Sequence, residues 1–310
     1  MSAYNIITSS LIGMAYIKYL KQEPVDMIYL LLSILSSAIM AIALRLFQDP
    51  KGNRYGILLG NYLVCVLISF IRLPDHSQVF RGSAVTILWG IVSGFLFVAG
   101  LVTMQTSIRL NGATLTAVFS KLGLIVSLAV SILVYGERPN VLQIIGLLLV
   151  LTAIILINGG DGSETTKGKR LYTGALFLTL LAGGAAGATA KVFEQIGARE
   201  EDELYFLYLF AVAALLTFLL ALVEKRKQGL KVRAKDLAAG IVIGIPNYYA
   251  SFLLLPALTV LPAFIVYPVS STGVILLVSA AGALFFHEKH TAKQKLGILL
   301  VLAALVLLNL

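Results

Sequence analysis

The sequence predicts an all-α polytopic membrane protein, with ten transmembrane helices arranged as two inverted five-helix repeats. Three observations carry that expectation. Of the 310 residues, 59% are hydrophobic and only 13% charged, whereas soluble domains carry about 25% charged residues. Apolar runs of about 20 residues, the length that crosses a hydrocarbon core of about 30 Å, recur along the whole chain. The third observation is an internal duplication. The stretch from Gly112 to Asn158 registers without a gap on Ala263 to Asn309, placing Glu137 on Glu288, Gly146 on Gly297 and Asn158 on Asn309. Upstream, WGIVSGF at Trp89 to Phe95 meets AGIVIGI at Ala239 to Ile245 after a one-residue slip, and ALRLFQ ending at Gln48 resembles AKVFEQ ending at Gln195. Strands of a membrane barrel would alternate apolar and polar residues over about 10 positions, and these runs do not.

Taken in order, residues 1–26 form an N-terminal segment in which Asn5, Lys18 and several hydroxyls dilute the apolar run over 1–20. It reads as an interfacial helix, with an eleventh span as the alternative. The first repeat occupies 27–158, with spans at 27–48, 55–72, 84–105, 112–134 and 140–158. The polar, glycine-rich run GGDGSETTKGKR at 159–170 is the expected linker. The second repeat occupies 171–310, with spans at 171–192, 204–223, 236–256, 262–284 and 294–309. An odd number of spans per repeat makes the second copy enter the membrane from the opposite side, which gives an inverted pseudo-two-fold. The pairs Gly90 and Gly94, Gly183 and Gly187, and Gly240 and Gly244 have the small-xxx-small spacing of closely approaching helices. The first residues lack a basic region followed by a small-residue cleavage site, so no removable signal peptide is expected.

The net charge of +9 sits in loops between apolar runs, which makes it a topology signal rather than a nucleic-acid footprint. EKRKQGLKVRAKD at 224–236 and KGKR at 167–170 share one face. The opposite face carries only Lys18, Lys21, Arg72, Arg81, Arg138, Lys191 and Arg199. The positive-inside rule therefore places the C-terminus outside. The lone Cys65 excludes a disulfide framework and a zinc spacing. No HExxH, GxSxG or P-loop is present, so neither an enzyme nor a cofactor is expected.

The repeated GE or HE followed by a Gln and a Gly (Gly136, Glu137, Gln143, Gly146; Glu288, Gln294, Gly297) resembles the EamA-like branch of the drug/metabolite transporter superfamily, over nearly the whole chain from residue 27 to 309. The resemblance implies two inverted five-helix bundles around a central cavity lined by helices 1 to 4 and 6 to 9, with helices 5 and 10 peripheral. It also implies both termini in the cytoplasm, the opposite of what the charge bias gives for the C-terminus. On this reading the chain is a secondary transporter in the cell membrane, working on a small-molecule substrate by alternating access, as a monomer or a homodimer. The alternatives are multidrug or nucleotide-sugar-type transport, or a non-transporting membrane scaffold or lipid-handling protein.

The candidate site begins at Lys121, about nine residues into helix 4 among apolar and small neighbours. An ammonium at that depth costs at least about 2.5–3.5 kcal/mol to insert, so it should face a cavity or a partner. No Asp or Glu stands in the middle of any span, and a proton-coupled exporter of lipophilic cations would be expected to place a carboxylate there. The expected substrate is therefore zwitterionic or anionic, an amino acid for example, and export is the expected direction. Dehydration of the ammonium would let it release and rebind a proton, which makes a proton the candidate coupling ion. Ser120 flanks Lys121, and the repeat mate of Lys121 is Thr272, at the end of the run Tyr267, Pro268, Val269, Ser270, Ser271, Thr272. Hydroxyls there can line a site or bond back to their own helix. Pro268 suggests a broken helix near the repeat axis. Asn247 and Tyr248 in helix 8 and Gln105 in helix 3 complete the expected binding residues. Arg45, Lys191 and Glu194 stand at matching helix ends, where solvation is the simpler reading and a cavity mouth the other. HEKH at His287 to His290 resembles a metal pair, but its repeat twin has no His, and no metal is expected.

Overall fold

The computed structural model describes residues 27–44, 46–47, 53–158, 172–285 and 291–308, and all their regular structure is helical. The expectations for residues 1–26, the 159–170 linker, Arg45 and the turn His287 to His290 fall outside the described residues. The helices are α1 (Met27–Leu44), α2 (Arg54–Arg72), α3 (Ala84–Asn111), α4 (Ala113–Leu122), α5 (Leu124–Tyr135), α6 (Val141–Asn158), α7 (Thr173–Ile196), α8 (Asp202–Gln228), α9 (Ala234–Val260), α10 (Ala263–Phe285) and α11 (Ala292–Leu308). Two short 3₁₀ turns, His76–Phe80 and Arg199–Glu201, precede α3 and α8. Among the described residues eight spans are long and apolar enough to cross a membrane, with α4 and α5 together making one of them, and α6 is a shorter apolar helix. The 17-residue α11 occupies the position of the tenth expected helix.

Three departures from the sequence expectation bear on the site. Helix 3 runs on to Asn111 because its polar last turn is satisfied. Ser107 and Thr116 share a hydrogen bond of 2.9 Å, while Asn111 donates to the Tyr172 carbonyl and accepts from the Tyr172 amide. It stops at Gly112, whose φ of 87° suits a residue without a Cβ. Helix 4 is interrupted at Gly123, between α4 and α5. Helix 9 by contrast continues through Pro268 as α10, with the Thr272 hydroxyl donating to the Pro268 carbonyl at 2.6 Å. The break that the proline suggested thus lies in the other copy, beside Lys121.

The two halves interleave. α2 packs on α8 and α9, α3 on α7 and α8, and α6 on α11, so the principal helix contacts cross from one repeat to the other. The glycines show that these contacts are symmetric. A Cβ added at Gly94 would lie 2.5 Å from the Leu209 carbonyl oxygen and 2.8 Å from Val212 Cβ. Added at its repeat mate Gly244, it would lie 2.6 Å from the Asn61 carbonyl oxygen and 2.9 Å from Val64 Cβ. The α3 on α8 crossing is therefore repeated as α9 on α2, related by the two-fold that exchanges the halves. The α6 and α11 pair maps onto itself. A Cβ added at Gly146 would lie 3.1 Å from Leu308 Cγ and 3.2 Å from the Ala304 carbonyl oxygen, and one added at Gly297 would lie 2.5 Å from Ile157 Cγ1 and 3.2 Å from the Ala153 carbonyl oxygen.

Two cores result. One gathers Leu30, Leu124, Leu128, Ile154, Leu258 and Ala304. The other is aromatic: Phe193 stacks on Tyr205 at 3.9 Å, and Phe206 meets Tyr248 and Phe252 edge-on. Polar caps join helices across the halves. Asn53 accepts from the Tyr55 amide at the start of α2 and donates to the Ala221 and Leu230 carbonyls at 3.2 and 2.9 Å.

Candidate functional site

Lys121 lies eight residues from the start of α4, roughly 12 Å along the helix axis. It is half-buried, and among the described residues no carboxylate lies at its depth and no hydrogen bond or ion pair holds it. Two residues on, the α-helical ladder gives way to a single tight turn at Gly123, whose amide bonds back to the Ser120 carbonyl, and Gly123 lies close against α7. A Cβ there would stand 3.0 Å from both the Gly184 nitrogen and the Leu180 oxygen. Ser127 of α5 closes the crossing by donating to the Gly184 carbonyl at 3.0 Å. Tyr267 of α10 reaches the same stretch of α7 from another side, its hydroxyl donating to the Gly187 carbonyl at 2.9 Å.

On α3, the antiparallel neighbour of α4, the pairs Ser107 with Thr116 and Met104 with Ser120 set the register. That register puts Gln105 close to the depth of Lys121. The Gln105 Oε1 is buried and has no partner among the described residues. Ser120 and Lys121 thus stand on α4 just before its contact with Gly184, Tyr267 reaches Gly187 from α10, and Gln105 lies on α3 close to the depth of Lys121. Ser270 and Ser271 are half-buried one turn further along α10. Thr272 is fully buried, with its hydroxyl turned onto its own helix.

Asn247 and Tyr248 occupy a different place. Asn247 donates to Asn61 Oδ1 at 3.1 Å in the α2 and α9 contact. Tyr248, without exposure, donates to Glu203 at 2.5 Å, and Glu203 in turn pairs with Arg72 at 2.6 Å. The Arg72 guanidinium lies 4.4 Å from the centre of the Phe252 ring.

One charged cluster is more developed than the sequence suggests. Lys191 is 4% exposed, and end-of-helix solvation is overturned for it. Its ammonium lies 2.9 Å from Glu194 Oε2 and 3.3 Å from Glu137 Oε1, because a dehydrated cation needs carboxylate partners. Glu137 also accepts from the Ala263 and Phe264 amides, at 3.0 and 3.3 Å. The cluster walls a recess of about 360 Å³ that also meets Arg138, Thr259 and Pro262. Further along the same membrane face, Glu201 accepts from the Ser83 amide at 3.0 Å and from the Ser83 and Thr86 hydroxyls. Glu137, Glu201 and Glu203 each bridge one half to the other on this face, where α2, α5, α7 and α9 end. The signals available in the sequence were the Glu repeated at 137 and 288, the Lys191 and Glu194 spacing of one helical turn, and Pro262, which has no side chain with which to cap α10. Among the described residues no group of three His, Cys, Asp or Glu could hold a metal.

A model of the EamA-like transporter family matches the chain twice, over residues 26–159 and 173–310. A solved structure described as "Crystal structure of protein" superimposes with a TM-score of 0.72 at 12% sequence identity, covering 92% of this chain and 97% of that one. At that identity the likeness is one of fold. No curated protein matches the sequence.

Proposed function

The chain belongs to the EamA-like transporter family, a family of multi-pass membrane transporters, and on that premise we propose that it exports a small zwitterionic or anionic metabolite, such as an amino acid, by alternating access. Lys121 carries the reading. It is a cation near the middle of the bundle, beside a break in its helix, with no anion among the described residues at its depth. A carboxylate on the substrate would complete it, since uncompensated charge in a low-dielectric interior is costly. Gln105 Oε1 stands ready as an acceptor at about the same depth, which suits the ammonium of a zwitterion. Ser120 adjoins Lys121 and Tyr267 reaches α7 at Gly187, while Ser270 and Ser271, half-buried on α10, would line the path; Thr272, Asn247 and Tyr248 are taken up in helix contacts and would act only as supports of its walls. The inverted two-fold supplies the motion, because two halves in symmetry-related contact can exchange their conformations around a fixed central site.

The test is a ligand-stabilisation screen on purified protein, wild type beside Lys121→Met, followed by flux assays in both directions in proteoliposomes. A solute that binds only the folded state at a hundredfold excess over its Kd adds about 2.7 kcal/mol of stability. Stabilisation by amino acids or organic anions in the wild type, lost in Lys121→Met, is the expected result. Stabilisation by lipophilic cations alone, untouched by the substitution, would replace this reading with multidrug transport.

A further inference from the structure

We infer that Glu137 is the latch that closes the bundle on the face where α5, α7 and α9 end. Four observations lead to it. Pro262 occupies the N-cap of α10, with the Ile265 and Val266 amides donating to its carbonyl, and proline offers no side-chain acceptor for the free amides of the first turn. Those amides, Ala263 and Phe264, are capped instead by the carboxylate of Glu137, which belongs to the other half of the molecule. The same carboxylate receives the buried ammonium of Lys191 at 3.3 Å. One side chain of the first half thus satisfies two separate elements of the second, α7 and α10.

The cap is also placed where a hinge would act. Gly136, directly before Glu137, has a φ of 69° and ends α5, and its amide and that of Glu137 both turn back to the Ser131 carbonyl. The carboxylate therefore rides on the α5 to α6 turn. Any rocking of the first half against the second that opens this face must draw it away from the α10 amides and from Lys191 together. Glu194 remains on Lys191 at 2.9 Å, so the ammonium keeps one partner when the latch is released. The positive end of the α10 dipole attracts the carboxylate back. Immediately beneath lies Ser131, without exposure, whose hydroxyl has no partner among the described residues.

The inference rests on the transporter reading, but its test needs no substrate, so loss of the Lys121 assignment leaves it standing. Ser131→Cys places a reporter thiol under the latch, and the native Cys65, buried in the α2 and α9 contact, serves as an internal control. Protein in nanodiscs is treated with a water-soluble maleimide, and modification at each cysteine is read by mass spectrometry with Glu137 intact and as Glu137→Gln. The latch predicts that Cys at 131 reacts at least about fivefold faster in Glu137→Gln, the population change that loss of a helix N-cap corresponds to, while Cys65 stays at its wild-type rate. Glu194→Gln, which leaves the α10 cap in place, raises the rate less. Equal acceleration at both cysteines, which is general loosening, or no acceleration at 131, overturns the proposal.

Discussion

Replacing Gly94 or Gly244 by alanine tests the two-fold directly. In each case the new methyl would be driven against a backbone carbonyl of the facing helix, 2.5 Å away for Gly94 and 2.6 Å for Gly244, with a valine Cβ at 2.8 and 2.9 Å behind it. Carbon and oxygen rest at about 3.5 Å, so each helix pair must separate by roughly 1 Å. Neither obstacle can swing away as a flexible side chain could. Overpacking of this kind costs about 1–3 kcal/mol, and rigid backbone neighbours put both substitutions near the top of that range. A large domain loses about 2–4 °C of Tm per kcal/mol, so each variant is expected to unfold roughly 5–10 °C below the wild type in a thermal scan of purified protein. The decisive quantity is the match between the two. A large drop for one mate and none for the other would refute the symmetric crossing of α3 on α8 and α9 on α2, whatever the average.

Two further substitutions probe the polar bridges. Tyr248→Phe removes the hydroxyl that donates to Glu203 and should cost about 1.5–3 kcal/mol, the range for a bond to a charged group; a melt unchanged within about 1 °C would show that this bond does not help hold Glu203 toward Arg72. Asn53→Ala deletes the cap of α2, removes a second donor from the Ala221 carbonyl and leaves the Leu230 carbonyl without this partner; a loss of about 2 kcal/mol is expected, and a neutral result in the same melt would show that water replaces the side chain.

Much of the architecture was legible because a membrane helix states itself twice, in its length and in its apolar content, and because the duplication fixed the register of the halves. The glycine pairs were legible as close contacts, but not which helices they join. α3 could have met any neighbour, and its choice of α8 over a helix of its own repeat depends on the assembled bundle. Gly123 illustrates a local limit. A lone glycine in an apolar helix is tolerated, and only the approach of Gly184 turns it into a break. The polar bridges were hidden for a related reason. Glu137, Glu201 and Glu203 lie at span ends, where the sequence offers water as an equally good partner, and their true partners come from residues 45 to 131 positions away. Lys121 was visible through its cost in hydrocarbon, and Gln105 as a polar residue near a span end, but the unsatisfied oxygen of Gln105 exists only once the surrounding helices are packed.

The seam between α6 and α11 has one more implication. Gly146 touches Ala304 and Leu308, and Gly297 touches Ala153 and Ile157; in the repeat register these are the same two contacts with the partners exchanged. An interface in which patch meets identical patch is isologous, the kind that closes a dimer of separate subunits. Each five-helix half therefore displays on its surface a complete, self-complementary seam for a second half inserted the other way up. What the tether between the halves adds is not the fit but the stoichiometry, since it guarantees that every upright half meets one inverted mate. It also frees the two copies to diverge, so that a single lysine on one side can stand opposite a threonine on the other without both halves having to carry the charge.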